Sequence, residues 1–330
     1  MSDLKCDVLG IGNAIVDVLA QSDDAFLERE GINKGSMTLV DANASKALYD
    51  KVGPAVECSG GSAANTIACL ASLGGAGAFV GKVRDDQLGH LFRHDIQSLG
   101  VSYNTIAAVD GPSTASCIVL VTPDAQRTMN TYLGACVDLT PGDIDPEEVA
   151  AAKVTYMEGY LWDPDEAKKA FLKASKIAHD AGRQVSLSLS DPFCVGRHRE
   201  EFLDLVENHV DILFANEEEI ISLYEVDTFD DAVKSVNHHC DVAALTRGAA
   251  GSVIVTRSAT YEVGAAPVGE IVDTTGAGDA FAAGYLFGHT QGLDPVISAG
   301  IGGVAASHII SHLGARPRTP LRQLVTGLVG

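Results

Sequence analysis

Short apolar runs and longer stretches with apolar residues at helical spacing take turns along most of the chain. Cys6–Ile11, Ala78–Val80, Val154–Met157, Val185–Leu189, Ile212–Ala215, Val242–Thr246 and Ser252–Thr256 read as strands. Ala63–Leu73, Gln87–Leu99, Glu166–Ala181, Glu217–Tyr224 and Asp230–His238 read as helices. Strands that alternate with helices predict an α/β fold, a three-layer α/β/α core with a mainly parallel sheet. Ligands of such a sheet bind at the carboxyl ends of its strands.

Two regions break the alternation. Gly31–Asp41 and Val101–Leu133 are rich in Thr, Val and Tyr, alternate in polarity and hold no long helical pattern. Ala115–Thr122 and Gln126–Leu133 read as a hairpin around Pro123-Asp124. They predict a small β lid over the site, discontinuous in sequence and drawn from about 12–41 and 101–134. No repeat or linker divides the chain, so residues 1–330 are expected to form one domain with this lid.

Composition narrows the function. The 330 residues are 46% hydrophobic and 20% charged, ample for a large core. A net charge of −21 argues against nucleic acid as a partner, because phosphate backbones need clustered Lys and Arg. An anionic ligand must then be held by local donors and a divalent cation rather than by the overall field. The seven cysteines stand singly and no CxxC occurs, which argues against a zinc site or a disulfide framework and for a cytoplasmic protein. Met1-Ser2-Asp3-Leu4-Lys5 does not read as a signal peptide. No apolar run reaches the roughly 20 residues of a membrane span, so no membrane partner is expected.

The chemistry concentrates in Asp273-Thr274-Thr275-Gly276-Ala277-Gly278-Asp279, between the apolar Ile271-Val272 and a helical run from Ala280 to Gly288. Thr274 and Thr275 are expected to cap that helix. Glycines allow close backbone approach, and the bare N–H groups of Gly276, Ala277 and Gly278 at a helix start form an anion nest. An acid inside such a nest suits proton abstraction from an alcohol while the nest holds a phosphoryl group, which is the role expected of Asp279. Alone, a Gly-x-Gly-Asp turn is more often structural. Gly60-Gly61-Ser62-Ala63-Ala64-Asn65 precedes a second helix, where Asn65 offers donor and acceptor groups to a hydroxylated ligand. Gly10-Ile11-Gly12 lacks the third glycine and following helix of a dinucleotide fingerprint, and no Walker A loop is present.

The Asp273–Asp279 run, continued by Ala280-Phe281-Ala282-Ala283-Gly284, resembles the signature of the ribokinase-like (PfkB) family of carbohydrate and nucleoside kinases. The resemblance extends from Gly12-Asn13 to Gly314-Ala315. Ser188-Leu189-Ser190-Asp191-Pro192-Phe193 and Gly60-Gly61-Ser62 align it with the adenosine-kinase branch. It implies ATP-dependent phosphorylation of a nucleoside 5′-hydroxyl, adenosine first, with a kinase of a free sugar (ribose, fructose or a keto-deoxy sugar acid) or of inosine or guanosine as the alternative and a non-catalytic nucleoside sensor as the third reading. It further implies that Asn13, Asp17, Gly60, Gly61 and Asn65 hold the sugar, Asp17 taking two ribose hydroxyls. Phe193 would stack on the base, and Arg127 would reach the phosphates from the lid. Ile15, Met37 and Met129 would complete an apolar slot. Thr246, Gly248, Gly251, Thr275 and Gly278 would lie against ATP. Asn216 and Glu219 would serve Mg²⁺, mostly through water, and Asp273 a K⁺ ion. The protein would act as a monomer or homodimer. Asp191 departs from the family, where a small residue often precedes the Pro-Phe pair.

Overall fold

The computed structural model describes residues 6–124 and 126–329; Met1–Lys5 lie outside the described residues. Its strands, in chain order, are β1 (Cys6–Ile11), β2 (Ile15–Gln21), β3 (Met37–Leu39), β4 (Ala55–Gly60), β5 (Gly77–Val80), β6 (Ser102–Tyr103), β7 (Ala115–Val121), β8 (Arg127–Tyr132), β9 (Ala152–Glu158), β10 (Gln184–Ser188), β11 (Ile212–Asn216), β12 (Val242–Thr246), β13 (Ser252–Thr256) and β14 (Thr260–Val263). A nine-stranded sheet runs β14-β13-β12-β11-β10-β9-β1-β5-β6. It is parallel from β12 to β6, and β13 and β14 add an antiparallel edge.

Alternate residues of each strand point to opposite faces, and here both faces are buried. Val8, Val154, Tyr156, Ile212, Phe214 and Ala244 pack against the helices Ser62–Leu73, Ala277–Thr290 and Pro295–Ile310. Leu9, Met157, Val185, Leu187, Leu213 and Leu245 pack on the other side, largely against the helix Asp165–Asp180. This double burial is why the strands read as near-continuous apolar runs.

A second, five-stranded sheet has the order β3-β8-β7-β2-β4. β7 and β8 form the expected hairpin. β4 also joins this sheet, although it lies outside both pieces of chain expected to build it. Ser102–Tyr103 instead extends the large sheet beside β5. The reason is packing: the Tyr103 ring lies 6.0 Å from Phe79 and 5.4 Å from Phe92, and its hydroxyl donates to Gly81 O at 2.8 Å. One register row across the small sheet reads Cys58, Asp17, Cys117, Thr131, Leu39, so these residues share a face.

The helix Pro295–Ile310 has no amphipathic signature, because small and apolar residues surround its axis. It lies close to Ala277–Thr290: a Cβ on Gly284 would meet Gly302 Cα at 2.6 Å. Among the described residues no helix is long and apolar enough to cross a membrane. Gly284→Val should lower stability by about 1–3 kcal/mol through overpacking, a fall of several degrees in the thermal midpoint followed by circular dichroism. An unchanged midpoint would contradict this helix contact.

Candidate active site

Five parallel strands of the large sheet bring a polar residue to their carboxyl ends: Asn13 just after β1, Glu158 on β9, Ser188 on β10, Asn216 on β11 and Thr246 on β12. These residues line one cavity of about 630 Å³, with the small sheet as its opposite wall. The helix Ala277–Thr290 begins there. Neither Thr274 nor Thr275 caps it, contrary to expectation; Gly276 is the N-cap residue, in the left-handed region at φ 78°, and no side chain bonds the first turn. A Cβ at Gly276 would stand 2.6 Å from Ala315 Cβ, so glycine is required by space as well as by dihedral.

Leaving out a side-chain cap keeps the first-turn donors open. Among the described residues no protein acceptor takes the N–H of Gly276, Gly278 or Asp279. Ala277 differs from the expected nest: its N–H closes a turn onto Thr274 O at 3.2 Å. Asp273 shapes the approach, with Oδ1 accepting from Thr275 N–H at 3.0 Å and Oδ2 from Gly314 N–H at 2.9 Å.

Asp279 stands on the first turn, half-buried, its carboxylate facing the cavity. Ser62 Oγ donates to Oδ1 at 2.6 Å and Asn65 Nδ2 to Oδ2 at 3.2 Å. Burial raises its pKa to about 6, against the lowering effect of Ser62, Asn65 and Arg316. Asp17, on β2 of the small sheet, is also raised to about 6 by burial, opposed by Arg316 and Arg127 and reinforced by Asp279. Gly60 lies directly behind the Asp17 carboxylate, where any Cβ would collide with it. Gly61, at φ 95°, turns the chain from β4 into the Ser62–Leu73 helix.

Glu158 and Ser62 were not singled out from the sequence. Glu158 is buried, and burial raises it to about 7. It accepts from Ala63 N–H at 2.7 Å and from Asn13 Nδ2 at 2.7 Å and backbone N–H at 3.2 Å. It thereby fixes both Asn13 and the start of the Ser62–Leu73 helix. The available signal was position alone: an acid that ends an apolar strand of a parallel sheet.

Of the remaining expected residues, Phe193, Arg127, Thr246, Thr275, Asn216 and Glu219 line the cavity, as do Ile15, Met37 and Met129. Gly248 and Gly251 do not; they form the β12–β13 turn beside it. Asp191 caps the Pro192–Arg197 helix, accepting from Cys194 N–H at 2.6 Å, which accounts for an acid before the Pro-Phe pair. Asn216 and Glu219 form a capping box, with Asn216 Nδ2 donating to Glu219 Oε1 at 2.6 Å. Burial raises Glu219 to about 7. Its carboxylate keeps spare lone pairs at the cavity wall, so it fits a hydrated divalent cation. Asp273 fits a monovalent cation poorly, because Arg127 Nη2 lies 2.9 Å from its Oδ2 and supplies the countercharge.

An acid beside open amides, at the carboxyl end of a parallel sheet and beneath a second sheet, is the arrangement of a phosphotransferase that acts on alcohols. The chain belongs to the pfkB family of carbohydrate kinases, whose family model matches residues 37–322. Members transfer phosphoryl groups to hydroxyls of nucleosides or sugars. The fold matches the adenosine kinase of Sinorhizobium meliloti at 50% identity and a TM-score of 0.91, covering 98% of this chain and 99% of that one. It matches a probable sugar kinase of Rhizobium etli CFN 42 at 48% identity and a TM-score of 0.92, with the same coverage. A probable fructokinase-6, chloroplastic, of Arabidopsis thaliana is 32% identical over 69% of this chain, which spans 61% of that protein.

The raised pKa of Asp17 has a stability consequence. Its protonated form is favoured in the folded state, so that contribution is complete below the unfolded value of 3.8 and lost as pH rises through about 6. Among the described residues nothing hydrogen-bonds its carboxylate. Asp17→Asn should therefore stabilise the unliganded protein at pH 7.5 by about 1–3 kcal/mol, with the gain gone near pH 4. Thermal melting across that range checks it; a gain independent of pH would show that burial of the charge is not the cause.

Proposed function

We propose that this protein transfers the γ-phosphoryl group of ATP to the 5′-hydroxyl of a nucleoside, with adenosine the leading acceptor. The observation that carries this reading is a set of buried polar atoms around the cavity with no hydrogen-bond partner: Asn13 Oδ1, Asn65 Oδ1 and Arg127 Nε. Each Asn gives its Nδ2 to a carboxylate, which leaves its Oδ1 as the free acceptor. Unpartnered buried polar groups of this kind are costly unless a ligand completes them. Two acceptors suit sugar hydroxyls, and a guanidinium suits a phosphate.

In this reading Asp17, Gly61 and Asn65 hold the ribose, with Gly60 supporting Asp17. Asp279, held by Ser62 and Asn65, accepts the 5′-hydroxyl proton. A pKa of about 6 leaves it ionised at neutral pH yet close enough to take a proton readily. The open N–H groups of Gly276 and Gly278 steady the transferring phosphoryl group, with Ala277 holding the turn in shape. Thr246 and Thr275 line the ATP side, and the Gly248–Gly251 turn supports Thr246. Mg²⁺, when bound, would neutralise phosphate charge, with Glu219 and Asn216 contacting its water shell. Arg127 moves from Asp273 to the phosphates as the small sheet closes and excludes water.

A nucleoside is favoured over a free sugar by apolar surface. Phe193 is 82% exposed at the cavity mouth, and Met37 and Leu39 on the opposing sheet are 50% and 60% exposed. A purine would fill the slot between them, whereas a hexose would leave it wet. The 50% identity to an adenosine kinase agrees, and the 48% identity to a probable sugar kinase is what supports the alternative.

An ADP-release assay with adenosine, inosine, guanosine, ribose and fructose decides between them; turnover of ribose or fructose alone would overturn the nucleoside reading. Asp279→Asn should lower kcat by about 10²–10⁴-fold with little change in ATP affinity, and near-normal turnover would remove Asp279 from the base role. In the wild type, kcat/KM for the nucleoside should fall as pH drops below about 6, since protonation disables both Asp279 and Asp17. A profile flat down to pH 5 would contradict it.

A further inference from the structure

Three consecutive residues near the C-terminus meet three parts of the site. Gly314 N–H donates to Asp273 Oδ2 at 2.9 Å, and Ala315 packs against the left-handed Gly276. Arg316 spans the turn at Gly61. Its Nε and Nη2 donate to Ser59 O at 3.1 and 2.7 Å, Nη2 also reaches Ser59 Oγ at 2.9 Å, and Nη1 donates to Ala64 O at 2.8 Å. Ser59 belongs to β4 of the small sheet, one residue from Cys58, the register partner of Asp17. Ala64 belongs to the first turn of the helix that carries Ser62 and Asn65, the two partners of Asp279.

We propose that Arg316 is a positioning residue for the reaction: it clamps the hinge at Gly61 and so sets the placement of the sugar-binding acid on the small sheet relative to the residues that hold the base on the Ala277–Thr290 helix. The inference rests on the kinase function proposed above. A planar guanidinium spreads its donors over three nitrogens in a fixed fork that reaches both sides of the turn, a geometry the single nitrogen of an ammonium does not reproduce. The second sheet can then move only as far as this clamp permits.

Electrostatics supports the same assignment. Asp17 is faced by Cys58 and Cys117 from its neighbouring strands, by Arg127 from β8 and by Asp279. Asp279 is faced by Glu158 and Tyr156 from β9, by Tyr160 beyond it and by Cys69 from the Ser62–Leu73 helix. Most of these groups are acidic or neutral. Arg316 favours the ionised form of both acids.

The test compares Arg316→Met, which loses charge and fork, with Arg316→Lys, which keeps only the charge. Arg316→Met should raise the nucleoside KM and lower kcat by about 10–100-fold each, leave the ATP KM nearly unchanged, and move the acid limb of kcat/KM to higher pH. Arg316→Lys should return that limb towards its wild-type position while the nucleoside KM stays raised. Equilibrium binding of adenosine to each variant, folded by circular dichroism, gives a readout independent of turnover. An Arg316→Met enzyme with wild-type KM and acid limb overturns the inference. If that variant does not fold, a wild-type nucleoside KM in Arg316→Lys overturns it instead. A wild type that turns over a free sugar but no nucleoside overturns only the nucleoside reading, and the variants are then compared with that sugar.

Discussion

The cost of keeping two buried carboxylates charged at the cavity wall governs this structure. Asp17 comes from the small sheet and Asp279 from the first turn of the Ala277–Thr290 helix, burial pushes both to about 6, and Asp279 makes Asp17 harder to ionise. What surrounds them offsets that cost without cancelling it. Ser62 and Asn65 donate to Asp279, and Arg316 and Arg127 bear on Asp17. An acid left this close to neutrality is a usable base, and a fully solvated one would be a weaker base. On the reading proposed above, sugar hydroxyls that donate to these carboxylates would relieve that cost.

The nest follows the same logic. A threonine cap would have satisfied the helix start and stabilised the fold by about 1 kcal/mol. The chain instead places a left-handed glycine at the cap, so the open amides of Gly276 and Gly278 have no partner among the described protein atoms. Local stability is given up at this turn, and packing elsewhere compensates: Ala315 against Gly276, Gly314 against Asp273, and the tight contact between two glycine-bearing helices.

Much of the fold was legible because burial on two faces writes itself into strands as unbroken apolar runs, and burial on one face writes itself into helices as a stripe. Where that grammar lapses, so does legibility. Pro295–Ile310 is apolar all round and shows no period, and β4 carries no strong strand pattern because much of it faces solvent. The site divides in the same way. Asp279, Asn65 and the glycines lie in compact motifs and could be picked out. Glu158, Ser62 and Arg316 act through partners 95, 217 and 257 residues away, and no local pattern records such a pairing.

The sequence by itself therefore determined the layered architecture, the glycine-rich turn with its acid and, through motif order, the kinase family, since each is encoded in short-range periodicity or in contiguous residues. The tertiary structure alone decided that Gly276 rather than a threonine begins the helix and that Ala277 closes a turn. It also decided that Arg127 balances Asp273, and that Arg316 bridges β4 of the small sheet and the first turn of the Ser62–Leu73 helix. The physical reason is range: propensities and caps act over one helical turn, whereas desolvation and charge balance depend on which distant segments share a cavity.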